Sequence, residues 1–169
     1  MKRVLVTGMS GTGKSTVIAE LMERGYKAVD ADTGEWSEWV DVGPDDESGS
    51  PVDEPGIWRT KDWVWREDRI QQLLATEDAE VLFLSGCASN MRRFYAQFDR
   101  IVLLSAPVHV LCERLATRTT NAYGKNPDEL ARILRHVQTV EPLLRRIATL
   151  VVDTSPPVAH VIAAILDHL

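Results

Sequence analysis

Residues 8–15 read Gly8-Met9-Ser10-Gly11-Thr12-Gly13-Lys14-Ser15, a full match to the spacing G-x4-G-K-[ST]. Upstream, Arg3 to Thr7 carries the apolar run Val4-Leu5-Val6 and reads as a short strand. Downstream, Val17, Ile18, Leu21 and Met22 recur at helical spacing. Strand, glycine turn and helix, in that order, is the context this pattern requires. Glycines let backbone N–H groups turn inward around phosphate oxygens, where a side chain would obstruct the approach. The positive end of the following helix adds to the attraction. Lys14 is expected to reach the β- and γ-phosphates and the Ser15 hydroxyl to bind Mg²⁺. The nucleotide-phosphate set read here is Gly8, Ser10, Gly11, Thr12, Gly13, Lys14, Ser15 and Thr16.

Working outward, Gly25 fits a helix stop and Tyr26 to Val29 a second strand. Residues 33–57 hold Gly34, Gly43, Pro44, Gly49, Ser50, Pro51, Pro55 and Gly56, and read as an irregular insertion with one helical turn around Trp36 and Trp39. A helix is expected from Trp63 to Ala75. Val81-Leu82-Phe83-Leu84 reads as a strand buried on both faces, Gly86 to Asn90 as a turn, and Met91 to Phe98 as a short helix. Arg100 to Leu104 is a further strand, and Pro107 opens a helix burying Val108, Leu111, Cys112 and Leu115. After the polar stretch 117–126, a helix starts near Pro127, with Asp128 and Glu129 at its positive end. One stripe of Leu130, Ile133, Leu134, Val137 and Leu144 is expected along it. Thr149 to Val152 is the last strand, and Val158, Val161, Ile162, Ile165 and Leu166 mark the last helix. The alternation of strand and helix calls for an α/β fold: a parallel sheet with helices on both faces.

The chain has 169 residues, 44% hydrophobic and 26% charged, which suits one domain spanning 1–169. The net charge of −6 is unevenly placed. Ten acids and no Lys or Arg lie between Ala28 and Trp58, which leaves the rest of the chain at +4. All five tryptophans, Trp36, Trp39, Trp58, Trp63 and Trp65, fall in or just after that acidic stretch. An extended polyanion would be repelled there, so nucleic acid is not an expected partner. The stretch MKRVLVTG lacks the roughly 7–15 apolar residues of a secretory signal, and no run approaches the ~18 residues of a membrane span. Two cysteines, Cys87 and Cys112, suit reduced thiols. A cytoplasmic location is expected, with no membrane partner; nothing in the sequence fixes an oligomeric state.

Many nucleotide-binding loops are paired with an aspartate closing a later strand, where it holds Mg²⁺. Here that strand closes in Ser85-Gly86, and the carboxylates stand instead at Asp30-Ala31-Asp32. Alternate residues of an extended strand point the same way. Both can therefore face the cation and an incoming hydroxyl, one holding metal-bound water and the other accepting the proton of the attacking alcohol. The alternative is a pair of exposed turn acids.

Four stretches, Gly8 to Ser15, Asp30-x-Asp32, Glu113-Arg114-Leu115-x-x-x-Arg118 and Glu141 to Ser155, resemble the shikimate kinase branch of the nucleoside-monophosphate-kinase-like P-loop proteins. The resemblance covers most of the chain except residues 33–62. It implies a three-layer fold with a five-stranded parallel sheet in the order 2-3-1-4-5, and ATP-dependent phosphorylation of a small molecule, with ADP as product. It further implies that Asp30 supports Mg²⁺ and that Asp32 binds the substrate hydroxyl or acts as base. Arg114 would lie near the adenine, and Arg118 on a lid at 117–127 near the phosphoryl group in transit. Asp153, Ser155 and Pro156 would belong to the loop beside the adenine. Arginine's planar fork suits both phosphate oxygens and stacking on a base.

Two departures bear on the phosphoryl acceptor. Shikimate kinases have a triple glycine after the third strand, whereas this chain has Ser85-Gly86-Cys87-Ala88-Ser89-Asn90. They also carry an arginine two residues before a Pro-Leu pair, where this chain has Val140. Losing that charge removes a charge-assisted pair worth about 1.5–3 kcal/mol, so shikimate is not the expected acceptor. Trp65-Arg66 echoes an aromatic-arginine step at another substrate contact. The insertion at about 33–62 takes the place of the relatives' substrate element. Its tryptophans and acids suit a neutral or cationic acceptor with a ring-shaped or apolar face. Candidate acceptor contacts are Asp32, Trp36, Arg66, Gly86, Cys87 and Asn90. The catalytic set is Lys14, Asp32 and Arg118, and the metal set is Ser15 and Asp30. His109, His136, His160 and His168 lack metal-ligand spacing. Competing readings are a nucleoside monophosphate kinase, against which stands the lack of basic residues at 28–58, and a nucleotide-binding sensor without transfer activity.

Overall fold

The structure, a computed structural model, describes residues 1–42 and 61–169. The part of the insertion at 43–60, with Trp58, Arg59 and the acids Asp45, Asp46, Glu47, Asp53 and Glu54, lies outside the described residues. In chain order the elements are β1 (Lys2–Thr7), α1 (Lys14–Glu23), β2 (Lys27–Asp30), β3 (Ser37–Asp41), β4 (Lys61–Trp65), α2 (Glu67–Leu74) and β5 (Val81–Ser85). A 3₁₀ helix (Met91–Gln97), β6 (Arg100–Ser105), α3 (Val108–Thr117), α4 (Pro127–Thr139), α5 (Glu141–Ile147), β7 (Leu150–Asp153) and α6 (Val158–Leu166) follow.

Five strands form one parallel sheet in the order β2-β5-β1-β6-β7. Counting only these strands, the order is the expected 2-3-1-4-5. Side-chain alternation divides the interior into two layers. Val4 and Val6 of β1 join Val17, Ile18 and Leu21 of α1 and Val161, Ile162 and Ile165 of α6. Leu5, between them, joins Ile70, Leu73 and Leu74 of α2, Phe94 of the 3₁₀ helix and Leu144 of α5 on the opposite face. Each such side chain contributes about 1.5–3 kcal/mol by leaving water. Among the described residues no helix is long and apolar enough to cross a membrane.

Val108, expected to be buried by the helix after Pro107, is 49% exposed, and three expectations of secondary structure are corrected. The helix expected from Trp63 to Ala75 is a strand followed by a helix that begins only at Glu67. Trp63-Val64-Trp65, aromatic and β-branched, suits an extended pleat, and β3 supplies its antiparallel partner, with Ser37 opposite Trp65 and Trp39 opposite Trp63. The helical turn expected around Trp36 and Trp39 ends at Ser37, whose N–H reaches the Thr33 carbonyl at 2.9 Å, and Trp39 lies in β3. Finally, the stripe from Leu130 to Leu144 is divided between two helices. Pro142 has no N–H to continue the ladder, so the chain changes helix at Val140, whose carbonyl accepts from Leu143 and Leu144. The start at Pro127 stands as expected, with the Asn126 side chain accepting from the Asp128 N–H at 2.9 Å.

Candidate active site

Because the main strands run parallel, their carboxyl ends share one edge of the sheet, the edge where ligands of open α/β sheets bind. β1 delivers the loop 8–13 there, and β2 and β5 end side by side with Asp30 paired to Ser85. Gly13 caps α1 in the left-handed conformation, φ 99°, which a side chain would strain. Thr12 is fully buried and its hydroxyl donates to the Met9 carbonyl at 2.7 Å, tightening the turn. Ser10 and Gly11 are half-buried, and Ser15 and Thr16 stand exposed at the start of α1.

The two carboxylates meet the end of this loop separately. The Ser15 hydroxyl donates to Asp30 Oδ2 at 2.5 Å. Asp30 Oδ1 accepts from the Ser85 hydroxyl and from the Asp32 N–H, each at 3.1 Å. Lys14 Nζ donates to the Gly8 carbonyl at 2.8 Å and lies 3.4 Å from Asp32 Oδ2. The other oxygen of Asp32 accepts from the Cys87 N–H at 3.0 Å. One carboxylate therefore sits at the hydroxyl expected to bind the cation, the other at the lysine expected to reach the phosphates.

On the far side of the loop, Arg114 spans two segments. Its guanidinium donates to the Gly11 carbonyl at 3.3 Å, to the Thr154 hydroxyl at 2.9 Å and to the Thr154 carbonyl. Asp153 Oδ1 accepts from the Ser155 N–H and hydroxyl at 2.8 and 2.7 Å, which hold its carboxyl below the ordinary aspartate range. Pro156 is exposed beside them. Arg118 is not drawn to Lys14 and Asp32. Its guanidinium donates to the Tyr123 carbonyl at 2.5 Å, its Nε is buried without a partner among the described residues, and burial lowers its pKa.

The remaining candidates surround the base of the β3–β4 hairpin. Trp36 is half-buried against the core, and its carbonyl accepts from the Arg66 N–H at 2.8 Å. Arg66 pairs with Glu38 at 2.9 Å. Asn90 uses its amide on Trp65, accepting from its N–H at 2.8 Å and donating to its carbonyl at 2.9 Å, and also donates to Glu67. A Cβ on Gly86 would come within 2.9 Å of Trp65 Nε1 and 3.2 Å of Asp32 Oδ1, so glycine permits this close approach. Burial pushes the Cys87 thiol up, with Lys14 opposing and Asp32 adding to the shift. Trp39 and Trp63 pack with ring planes tilted by 55° and centroids 5.0 Å apart, and Trp39 is 60% exposed.

A family model described as AAA domain matches residues 4–135, from β1 into α4. The chain belongs to this AAA domain family. No curated protein matches the sequence. The AAA domain shares its fold with a shikimate kinase from Acinetobacter baumannii solved with shikimate, at 21% identity and TM-score 0.62, covering 99% of this chain and 92% of that one. It shares it also with a gluconokinase from Sinorhizobium meliloti 1021, at 23% identity and TM-score 0.58, covering 98% and 90%. A shikimate kinase from Bacteroides thetaiotaomicron matches at 18% identity and TM-score 0.60, covering 99% and 97%.

Two residues of the candidate site, Ser85 and Thr154, escape the motif reading, and a third, Trp65, was noted beside Arg66 without its burial. Ser85 holds Asp30 from the strand end where an aspartate was looked for, a position the sequence does mark. Thr154, 4% exposed, receives Arg114. Trp65 is 1% exposed and abuts Gly86; its burial was concealed by the reading of its segment as a helix.

Proposed function

We propose that this AAA domain transfers the terminal phosphoryl group of ATP to a hydroxyl of a small, non-anionic metabolite, with Mg²⁺ as the bound cation and ADP as product. The observation that carries the reading is the engagement of one loop by two carboxylates, Asp30 at Ser15 and Asp32 at Lys14. Holding a nucleotide requires the lysine and the serine. The second carboxylate adds a proton acceptor beside the phosphate to be moved.

Ser15 and Asp30 offer the hard oxygen donors that Mg²⁺ takes together with phosphate oxygens and water. The cation, when bound, neutralises phosphate charge. In the proposed cycle, backbone N–H groups of residues 8–16 cradle the phosphates and Lys14 balances their charge. Asp32 orients the acceptor hydroxyl and takes its proton. Arg114, Asp153, Ser155 and Pro156 border the base. Residues 117–127 act as a lid that carries Arg118 inward and excludes water.

Trp36, Arg66, Gly86, Cys87 and Asn90, with Asp32, mark out the acceptor side, between the two ends of the β3–β4 hairpin, the end of β2 and the turn after β5. Two features support a non-anionic acceptor: Arg66 is paired with Glu38, and Val140 brings no charge. Free Cys87 and Cys112 fit a reducing, cytoplasmic setting.

The test is an ADP-release panel of alcohols, sugars, amines, carboxylic acids and nucleotides. We expect a neutral or cationic alcohol to raise turnover, and Asp32→Asn to spare ATP binding while abolishing that gain. A nucleoside monophosphate as preferred acceptor, or no compound exceeding background hydrolysis, overturns the reading.

A further inference from the structure

Trp65 closes β4 with its side chain turned from water, 1% exposed, and its ring packed on Phe94 at a centroid distance of 5.7 Å. Its backbone is clamped on both polar groups by the Asn90 amide. The ring is therefore fixed from two sides. The edge it turns to Gly86 is the polar one: a Cβ at Gly86 would meet Nε1 at 2.9 Å, Cζ2 at 3.1 Å and Asp32 Oδ1 at 3.2 Å. The indole N–H and the Asp32 carboxylate thus flank one point at the carboxyl end of β5. Asp32 Oδ1 is engaged by the Cys87 N–H, whereas Trp65 Nε1 is buried with no hydrogen-bond partner among the described residues. Buried donors are nearly always paired, so an unpaired one beside a carboxylate has a role to be explained.

We propose that the Trp65 indole N–H is the specificity-determining donor of the acceptor site, held to receive an oxygen adjacent to the hydroxyl that Asp32 engages. This deepens the phosphoryl-transfer reading and rests on it. One small molecule with two neighbouring oxygens can satisfy both groups, one oxygen donating to the carboxylate and the other accepting from the indole. Arg66 is already neutralised by Glu38, so recognition falls to a neutral donor and the matching class is an uncharged polyol, cyclic or sugar-like. A site built around a buried donor discriminates strongly against an analogue that lacks the matching oxygen.

The experiment uses the full chain labelled with ¹⁵N-tryptophan, in the presence of ADP and Mg²⁺, titrated separately with D-glucose, myo-inositol, D-gluconate and shikimate. The Trp65 Nε1–H resonance is assigned through its contacts to Phe94, so the titration does not depend on any variant folding. A neutral polyol is expected to shift that resonance, and its deoxy counterpart lacking the adjacent hydroxyl is not. In kinetics, Trp65→Phe should lower kcat/KM for the polyol roughly tenfold while leaving the deoxy compound unchanged, so that discrimination collapses. A Trp65 resonance unmoved by all four compounds overturns the proposal, as does discrimination that survives Trp65→Phe. A response confined to the two acids overturns the uncharged class. ADP release in parallel samples, with ATP in place of ADP, separates the two readings. A shifted resonance without ADP release refutes phosphoryl transfer and leaves the Trp65 assignment standing, and ADP release with an unmoved resonance does the reverse.

Discussion

Lys14 Nζ lies 3.4 Å from Asp32 Oδ2 while donating to the Gly8 carbonyl at 2.8 Å. The same ammonium therefore links the start of the phosphate loop to the carboxylate that would receive the acceptor's proton. Replacing Lys14 by Ala removes charge balance on the phosphates and frees Asp32 at once. We expect kcat/KM for ATP to fall on the order of 100- to 1,000-fold, with an unchanged denaturation midpoint. Steady-state ADP release and urea unfolding on the same preparation test this; a loss smaller than tenfold would remove Lys14 from the catalytic set.

Asp30 receives three donors, from Ser15, Ser85 and the Asp32 backbone. Asp30→Asn should therefore raise the Mg²⁺ concentration for half-maximal activity by about 10- to 100-fold. Ser85→Ala, which removes one of the supports, should move it in the same direction by less. A Mg²⁺ titration at saturating ATP measures both, and an unchanged midpoint in Asp30→Asn would place the cation elsewhere.

Gly86→Ala puts a methyl group 2.9 Å from Trp65 Nε1 and 3.2 Å from Asp32 Oδ1. Neither neighbour has room to retreat, since Trp65 is buried against Phe94 and Asp32 is held by Lys14 and Cys87. The overpacking should cost about 1–3 kcal/mol in stability and depress turnover more than ATP binding. Chemical denaturation beside ATP titration checks the two halves separately.

Burial raises the pKa of Cys87 and pushes Tyr95 up to about 12. In the unfolded chain both groups lose their protons at the ordinary, lower pH. Above roughly pH 9 the unfolded state therefore binds fewer protons than the folded one, and stability must fall as pH rises from there. The urea midpoint should be flat from pH 7 to 8.5 on this account and decline toward pH 11, with Cys87→Ala removing the early part of the decline. Alkylation of Cys87 near pH 8 should likewise be slow, because the thiolate is the reactive form and burial disfavours it.

The sequence made the phosphate loop, the alternation of strand and helix and the Asp30–Asp32 pair legible because each rests on local signals: motif spacing, apolar runs on buried strands, and period-two placement. The sheet order came with the resemblance to shikimate kinases. What it concealed depended on distant partners. Trp63-Val64-Trp65 becomes a strand because β3 lies opposite, twenty-odd residues away in the chain, and a helical period was read across it instead. Pro142 was visible, yet the long stripe around it outweighed the missing N–H. The Arg66–Glu38 pair and the Asn90 clamp on Trp65 are contacts between separate elements, which no spacing rule reports.

The β3–β4 hairpin hydrogen-bonds to its own strands and to the turn after β5, while the phosphate loop is held by β1, α1 and Arg114. On the phosphoryl-transfer proposal, acceptor preference falls to the hairpin and the ends of β2 and β5, and nucleotide handling to a loop held by other elements, so the two could diverge separately.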